Sequence, residues 1–150
     1  MTCQAILNPP KTTLRPDQTV AQAMAILFAE HRLSLPVVDE KGRYRGMFGI
    51  HRLLGLALPK AAGLDQAPHL AFVSDRPDDI RARLKAVADQ PLSRHLDETV
   101  HPIRPTTPLV ETLLLLYRSR DDLPVVDDQS GTLVGVVSLR DALDTLAKGA

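Results

Sequence analysis

The sequence is written twice. Leu35-Pro36-Val37-Val38-Asp39 recurs as Leu123-Pro124-Val125-Val126-Asp127, a displacement of 88. Arg15-Pro16 recurs as Arg104-Pro105 at 89, and Gly46 matches Gly135 at 89. One residue is therefore lost before the second copy of the motif and regained in the turn after it. The apolar pattern repeats in phase as well. Val20, Ala23, Met24, Leu27 and Phe28 fall at i, i+3, i+4, i+7 and i+8, one face of a helix. Adding 89 gives Leu109, Thr112, Leu113, Leu116 and Tyr117, the same face again. A tandem duplication restricts the fold to two like units that must bury their apolar faces together.

Each unit reads β-α-β-β-α. An extended lead-in (Thr12 to Arg15; His101 to Arg104) precedes a helix that ends near His31 in one copy and near Arg120 in the other. In the second copy Thr107 reads as the N-cap and Pro108 as the first helical residue. Short apolar strands follow at Leu35 to Val38 and Leu123 to Val126. Polar turns carrying Gly42 and Gly131 lead to second strands, Tyr44 to Ile50 and Thr132 to Val137. Final helices are expected over Arg52 to Leu58 and Leu139 to Ala147. The strands are apolar on both faces, as in a sheet covered by helices. The organisation is thus a first repeat over 1–58, a connection over 59–91 and a second repeat over 92–150. Within the connection, Ser74-Asp75 before Pro77 reads as a helix start, Ile80, Leu84 and Val87 as its apolar face, and Pro91 as its stop. A unit of about 60 residues buries too little surface to be secure alone, so one intertwined module is expected rather than two independent domains.

Composition narrows the function. The chain has 150 residues, with 18 Lys plus Arg against 18 Asp plus Glu. A net charge of zero provides no basic field for nucleic acid or an anionic membrane. Three Phe, two Tyr and no Trp leave little for stacking bases. No apolar stretch approaches the roughly 20 residues of a membrane span, and the first residues lack the pattern of a signal peptide. Cys3 is the single cysteine, which fits a reducing cytoplasm, and near the terminus it reads as an incidental thiol. The histidines (His31, His51, His69, His95, His101) have no metal-ligand spacing and read as surface or packing residues, His101 alone near a cleft. No nucleophile elbow, P-loop or dinucleotide fingerprint is present, and the adjacent pairs Asp78-Asp79 and Asp121-Asp122 read as solvated. A non-enzyme is expected.

With these residues in place, the chain resembles the cystathionine-β-synthase (CBS) domain. The resemblance lies in T-x-x-P-D-x-T-V-x-x-A over Thr13 to Ala23, in His31 to Arg43 around the first LPVVD, and in Leu123 to Asp127 followed by Gly135-Val136-Val137-Ser138-Leu139-Arg140-Asp141. It implies an α/β (α+β) fold of two CBS repeats packed through their sheets about a pseudo-two-fold axis, a Bateman module, which commonly pairs into a homodimer. It also implies an adenosine-containing effector (AMP, ADP, ATP or S-adenosylmethionine) in a cleft between the repeats, with no cofactor required and an unidentified regulated protein as partner. Carried onto this chain, Asp141 would hold the ribose hydroxyls, Ser138 and the amides around Leu139 would face ribose or phosphate, and Arg140 would meet a phosphate. Thr12, Thr13, Ser34, Leu35 and Pro36 would line the base pocket with Val136. The second cleft, with His101 and Pro102, would be degenerate, because Gly49 stands where Ser or Thr belongs and Arg52 where Asp belongs. One working site per chain follows.

Two plainer readings stand beside this one. Ser138 and Asp141 also match a helix capping box, the hydroxyl capping forward and the acid reaching back. The degraded first motif suits a structural or dimerisation module with no physiological ligand.

Overall fold

The computed structural model describes residues 1–58 and 76–149. The first repeat contains α1 (Val20–Glu30), β1 (Ser34–Val38), β2 (Tyr44–Gly49) and α2 (Ile50–Ala57). After α3 (Pro77–Val87) the second repeat contributes α4 (Leu109–Ser119), β3 (Leu123–Val126), β4 (Leu133–Val137) and α5 (Leu139–Ala147). Both LPVVD segments become the first strand of an antiparallel hairpin, Leu35 opposite Phe48 and Leu123 opposite Val137. The lead-ins run parallel beside them: Leu14 bridges Val37 and Ile103 bridges Val125. Two repeats of mixed helix and strand, related by the sequence displacement and joined through their sheets, make up the fold.

The join is an exchange of arms. Asn8 of the first repeat bridges Val136 on β4, and Asp97 bridges Met47 on β2. Each N-terminal arm thus extends the other repeat's hairpin. The side chains follow their backbones. Cys3 and Ile6 lie in the core of the second repeat with Ile103, Leu116, Leu123, Val125, Val137 and Ala142. Leu92 lies in the core of the first with Leu14, Val20, Ala23, Leu27, Leu35, Val37, Phe48 and Leu53. Full burial of a leucine is worth about 1.5–3 kcal/mol, so neither core is complete without a residue from the opposite end of the duplication. Gly46 and Gly135 now have a reason to match. A Cβ on Gly135 would strike the Asn8 carbonyl and the Leu7 side chain, and one on Gly46 would press on Leu96. The two hairpins meet again at their turns, where the Tyr44 amide donates to the Gly131 carbonyl and the Leu133 amide to the Gly42 carbonyl.

Local chemistry sets the helix ends, with some departures from the sequence reading. Thr19 and Gln22 form a reciprocal capping box on α1. In α4 the cap is Pro108 itself, extended at ψ 148, so helix begins at Leu109. Thr107 does not cap; its hydroxyl accepts the Arg104 amide, as the Gln18 side chain accepts the Arg15 amide in the first copy. Strand β2 stops at Gly49 and α2 starts at Ile50, two residues before the expected start at Arg52. Phe28 and Tyr117 are not core residues: they are 59% and 80% exposed. Position i+8 lies roughly 80° round the helix from position i, off the narrow buried stripe. Arg76 takes the cap of α3 with Pro77 in its first turn, while Ser74 and Asp75 lie outside the described residues. Cys3 is fully buried, its thiol donating to the Arg104 carbonyl at 3.3 Å, and burial pushes its pKa up. It is a packing residue of the exchanged arm rather than an incidental thiol.

If the arms lock the repeats together, Gly135→Val lowers the unfolding free energy by at least about 2 kcal/mol through overpacking. Gly55→Ala, in a helix with nothing within 4 Å of the new methyl, raises it by up to about 1 kcal/mol. Urea denaturation of the two variants checks both signs.

Candidate functional site

The exchange creates two clefts between the repeats, and each is built from opposite halves of the chain. Residues Asn8 to Thr12, which carry the chain from the first arm to its lead-in, cross over the end of β4. Together with Glu30 and Arg32 at the end of α1, Leu35 and Pro36 on β1, and Val136, Ser138 and Asp141, they enclose a cleft of about 240 Å³. This is just below the roughly 300–1,000 Å³ of ordinary ligand pockets.

At the cleft, Ser138 caps α5. Its hydroxyl accepts the Asp141 amide at 3.0 Å. The reciprocal half of the box is absent: the Asp141 carboxylate turns instead to Asn8, whose Nδ2 donates to it at 3.2 Å. The acid is exposed and lines the cleft, with further acceptor capacity unused by the described residues. Serine and acid therefore divide the work that the plainer reading gave to one motif.

Six of the ten residues expected in this site line it: Thr12, Leu35, Pro36, Val136, Ser138 and Asp141. Four do not. Thr13, next to the lining residue Thr12 on an extended segment, falls outside the lining. Ser34 is buried, and its hydroxyl donates to Asp121 at 2.9 Å. Leu139 packs into the second core, and Arg140 is exposed outside the lining. Asn8, Lys11, Glu30 and Arg32 were missed. Glu30 and Arg32 flank the helix-ending His31, a position that could have flagged them; Asn8 and Lys11 arrive only through the arm exchange.

The second cleft, about 1250 Å³, is wider and is lined among others by His51, His101, Pro102, Glu111, Arg118 and Asp121. His101 and Pro102 are where they were expected, and His51 joins them. Gly49 and Arg52 lie outside this lining. Gly49 is paired with Ser34, and a side chain there would collide with the Leu33 carbonyl, which explains the missing hydroxyl. Arg52 turns to the His95 carbonyl, donating from Nε at 3.1 Å. The start of α2 thus offers no carboxylate to this cleft.

Asp121 and Asp122 are not a solvated pair. The Arg32 guanidinium meets Asp122 Oδ2 at 2.9 Å while Ser34 holds Asp121. The first repeat supplies donors and the second supplies acceptors, so the ion pair and the hydroxyl staple the repeats between the two clefts. The other oxygen of Asp122 accepts the Leu139 amide at 3.3 Å. Burial pushes the Asp122 pKa up, opposed by the Arg32 charge and the Leu139 amide.

The CBS domain family model matches residues 3–58 and, separately, 94–148. The chain belongs to the CBS-domain family. Solved structures share its fold over nearly its whole length. CBSX2 of Arabidopsis thaliana, a CBS-pair protein, is 18% identical with a TM-score of 0.71, over 98% of this chain and 94% of that one. A structure of CBSX2 in complex with AMP aligns similarly, at a TM-score of 0.72 and 18% identity over 98% and 96%. CbpB in complex with c-di-AMP is 15% identical with a TM-score of 0.70, over 99% and 85%. At these identities the likeness is one of fold. No curated protein matches the chain. Among the described residues there is no group of three His, Cys, Asp or Glu able to hold a metal, and no helix long and apolar enough to cross a membrane.

The raised pKa of Asp122 has a signed consequence. Between the free and the folded pKa the native state holds the extra proton, so this group's contribution to stability is present at low pH and is lost as pH rises through the folded pKa. The melting-temperature advantage of wild type over Asp122→Asn should therefore shrink as the pH rises above the ordinary aspartate value of about 4. A constant or widening gap in scanning calorimetry would contradict the assignment.

Proposed function

We propose that this CBS pair is a cytoplasmic regulatory module that binds one adenosine-containing ligand per chain in the first cleft and acts on a partner protein by conformational change. The observation that carries the reading is the Asp141 carboxylate, which lines the cleft and, among the described residues, accepts from Asn8 alone. A carboxylate accepts both hydrogens of a vicinal diol, which is the chemistry a ribose needs. The base then lies against Leu35, Pro36 and Val136, the apolar part of the lining. That CBSX2 and CbpB were solved with AMP and c-di-AMP supports the ligand class. Because the cleft walls come from both repeats, a ligand that binds one arrangement of the repeats better than another shifts their packing.

Association through the helices belongs to the same proposal. Phe28 and Tyr117, and Leu54 and Leu143 at 60% and 68% exposure, are apolar pairs repeated across the duplication. Exposed apolar side chains repeated in this way suit a second copy of the chain in a homodimer. These exposed pairs also favour the second reading, a dimerisation module without a ligand.

Thermal shift with adenosine, AMP, ADP, ATP, S-adenosylmethionine, c-di-AMP and NAD separates the two. A ligand at about 100 times its Kd stabilises the protein by about 2.7 kcal/mol; silence across the panel at millimolar concentration leaves only the dimerisation module. Asp141→Asn should weaken the bound ligand by at least about tenfold and change apo stability by less than about 1 kcal/mol. Ser138→Ala should do the reverse, costing about 1 kcal/mol of stability through the lost cap.

A further inference from the structure

We propose that Asp122, bound to the lining residue Arg32 and to the start of α5, fills the anion position beside the first cleft, so that the cleft takes an adenosyl ligand without a phosphate chain, a nucleoside or a sulfonium nucleoside, in preference to AMP, ADP or ATP. The inference rests on the adenosyl reading of the same site and selects within it.

The start of α5 is where a phosphate beside a ribose-gripping Asp141 would find backbone donors, since the free N–H groups and the helix dipole favour negative charge there. Two of these donors are already used. The Leu139 amide points to Asp122 Oδ1, and the Asp141 amide to the Ser138 hydroxyl. Arg32, the guanidinium lining the cleft, is held by the other oxygen of the same carboxylate. Asp122 thus makes the two contacts a phosphate would make, one from a helix-start amide and one from an arginine. It is a fixed anion, its side chain only 16% exposed. A phosphate would have to displace it or sit beside it, and like charges repel by an amount that grows as water is excluded. The rest of the ionic lining does not reverse this. Lys11 is balanced by Glu30, and Asp141 adds a further negative charge. The duplication supplies an internal contrast, because the residue matching Asp122 in the first repeat is the neutral Ser34.

The test is isothermal titration of wild type and Asp122→Ser with adenosine, S-adenosylmethionine, AMP, ATP and inorganic pyrophosphate. In wild type, affinity should fall from adenosine through AMP to ATP by about tenfold or more overall, with pyrophosphate silent. In Asp122→Ser, ATP and pyrophosphate should gain about tenfold while adenosine stays within about twofold. Wild-type ATP binding as tight as adenosine overturns the inference and leaves the adenosyl reading standing, and so does a folded variant with no phosphate gain. Should no adenosyl compound bind either protein, the adenosyl reading fails, and pyrophosphate alone decides whether Asp122 fills an anion position. Should the variant fail to fold, the wild-type ranking decides.

Discussion

Each half of this protein completes its core with a segment from the other half, and the rest of the architecture depends on that exchange. Cys3 and Ile6 fill the second core while Leu92 fills the first. Because the arms are held by backbone bridges to β2 and β4 as well as by packing, a repeat taken alone would lose both apolar burial and a strand neighbour. The exchange also makes the clefts. The first exists because residues leaving the bridge at Asn8 must cross the end of β4 and the start of α5 to reach their own lead-in. Stability and site are therefore consequences of one topological fact.

The duplication is not carried through to the site. The positions just before each LPVVD hold Arg32, Leu33 and Ser34 in one copy and only Asp121 and Asp122 after the matching helix end in the other. This is where the displacement changes from 89 to 88. Identical residues there would set like against like across the pseudo-two-fold axis. Donors on one side and acceptors on the other instead give the Arg32–Asp122 pair and the Ser34–Asp121 bond. Breaking the symmetry stabilises the junction, and it also leaves the two clefts chemically different. Asp141 and the Asp122-bound Arg32 line the first, whereas Asp121 and Glu111 line the second.

Much of this was legible in one dimension. The repeat, the β-α-β-β-α order, the helix ends at His31 and Arg120 and the one-sided survival of Asp141 all follow from residue spacing and local preference, which act over a few positions. The errors were also local in origin. Thr107 and Pro108 looked like a cap and a first helical residue, but the hydroxyl serves the turn before the helix. Phe28 and Tyr117 looked like core because apolar spacing does not distinguish the centre of a buried stripe from its margin.

What the sequence determined by itself was the existence of two like units and the chemistry left at the end of each, because duplication and motif are properties of order along the chain. What only the tertiary structure decided was which residues meet. Asn8 on Asp141, Arg32 on Asp122 and Leu92 in the first core join positions 133, 90 and many tens of residues apart. No local preference encodes such pairings. They arise because each unit is too small to bury its own apolar face, so the arms cross over, and the polar residues near the crossing are carried into contact with them.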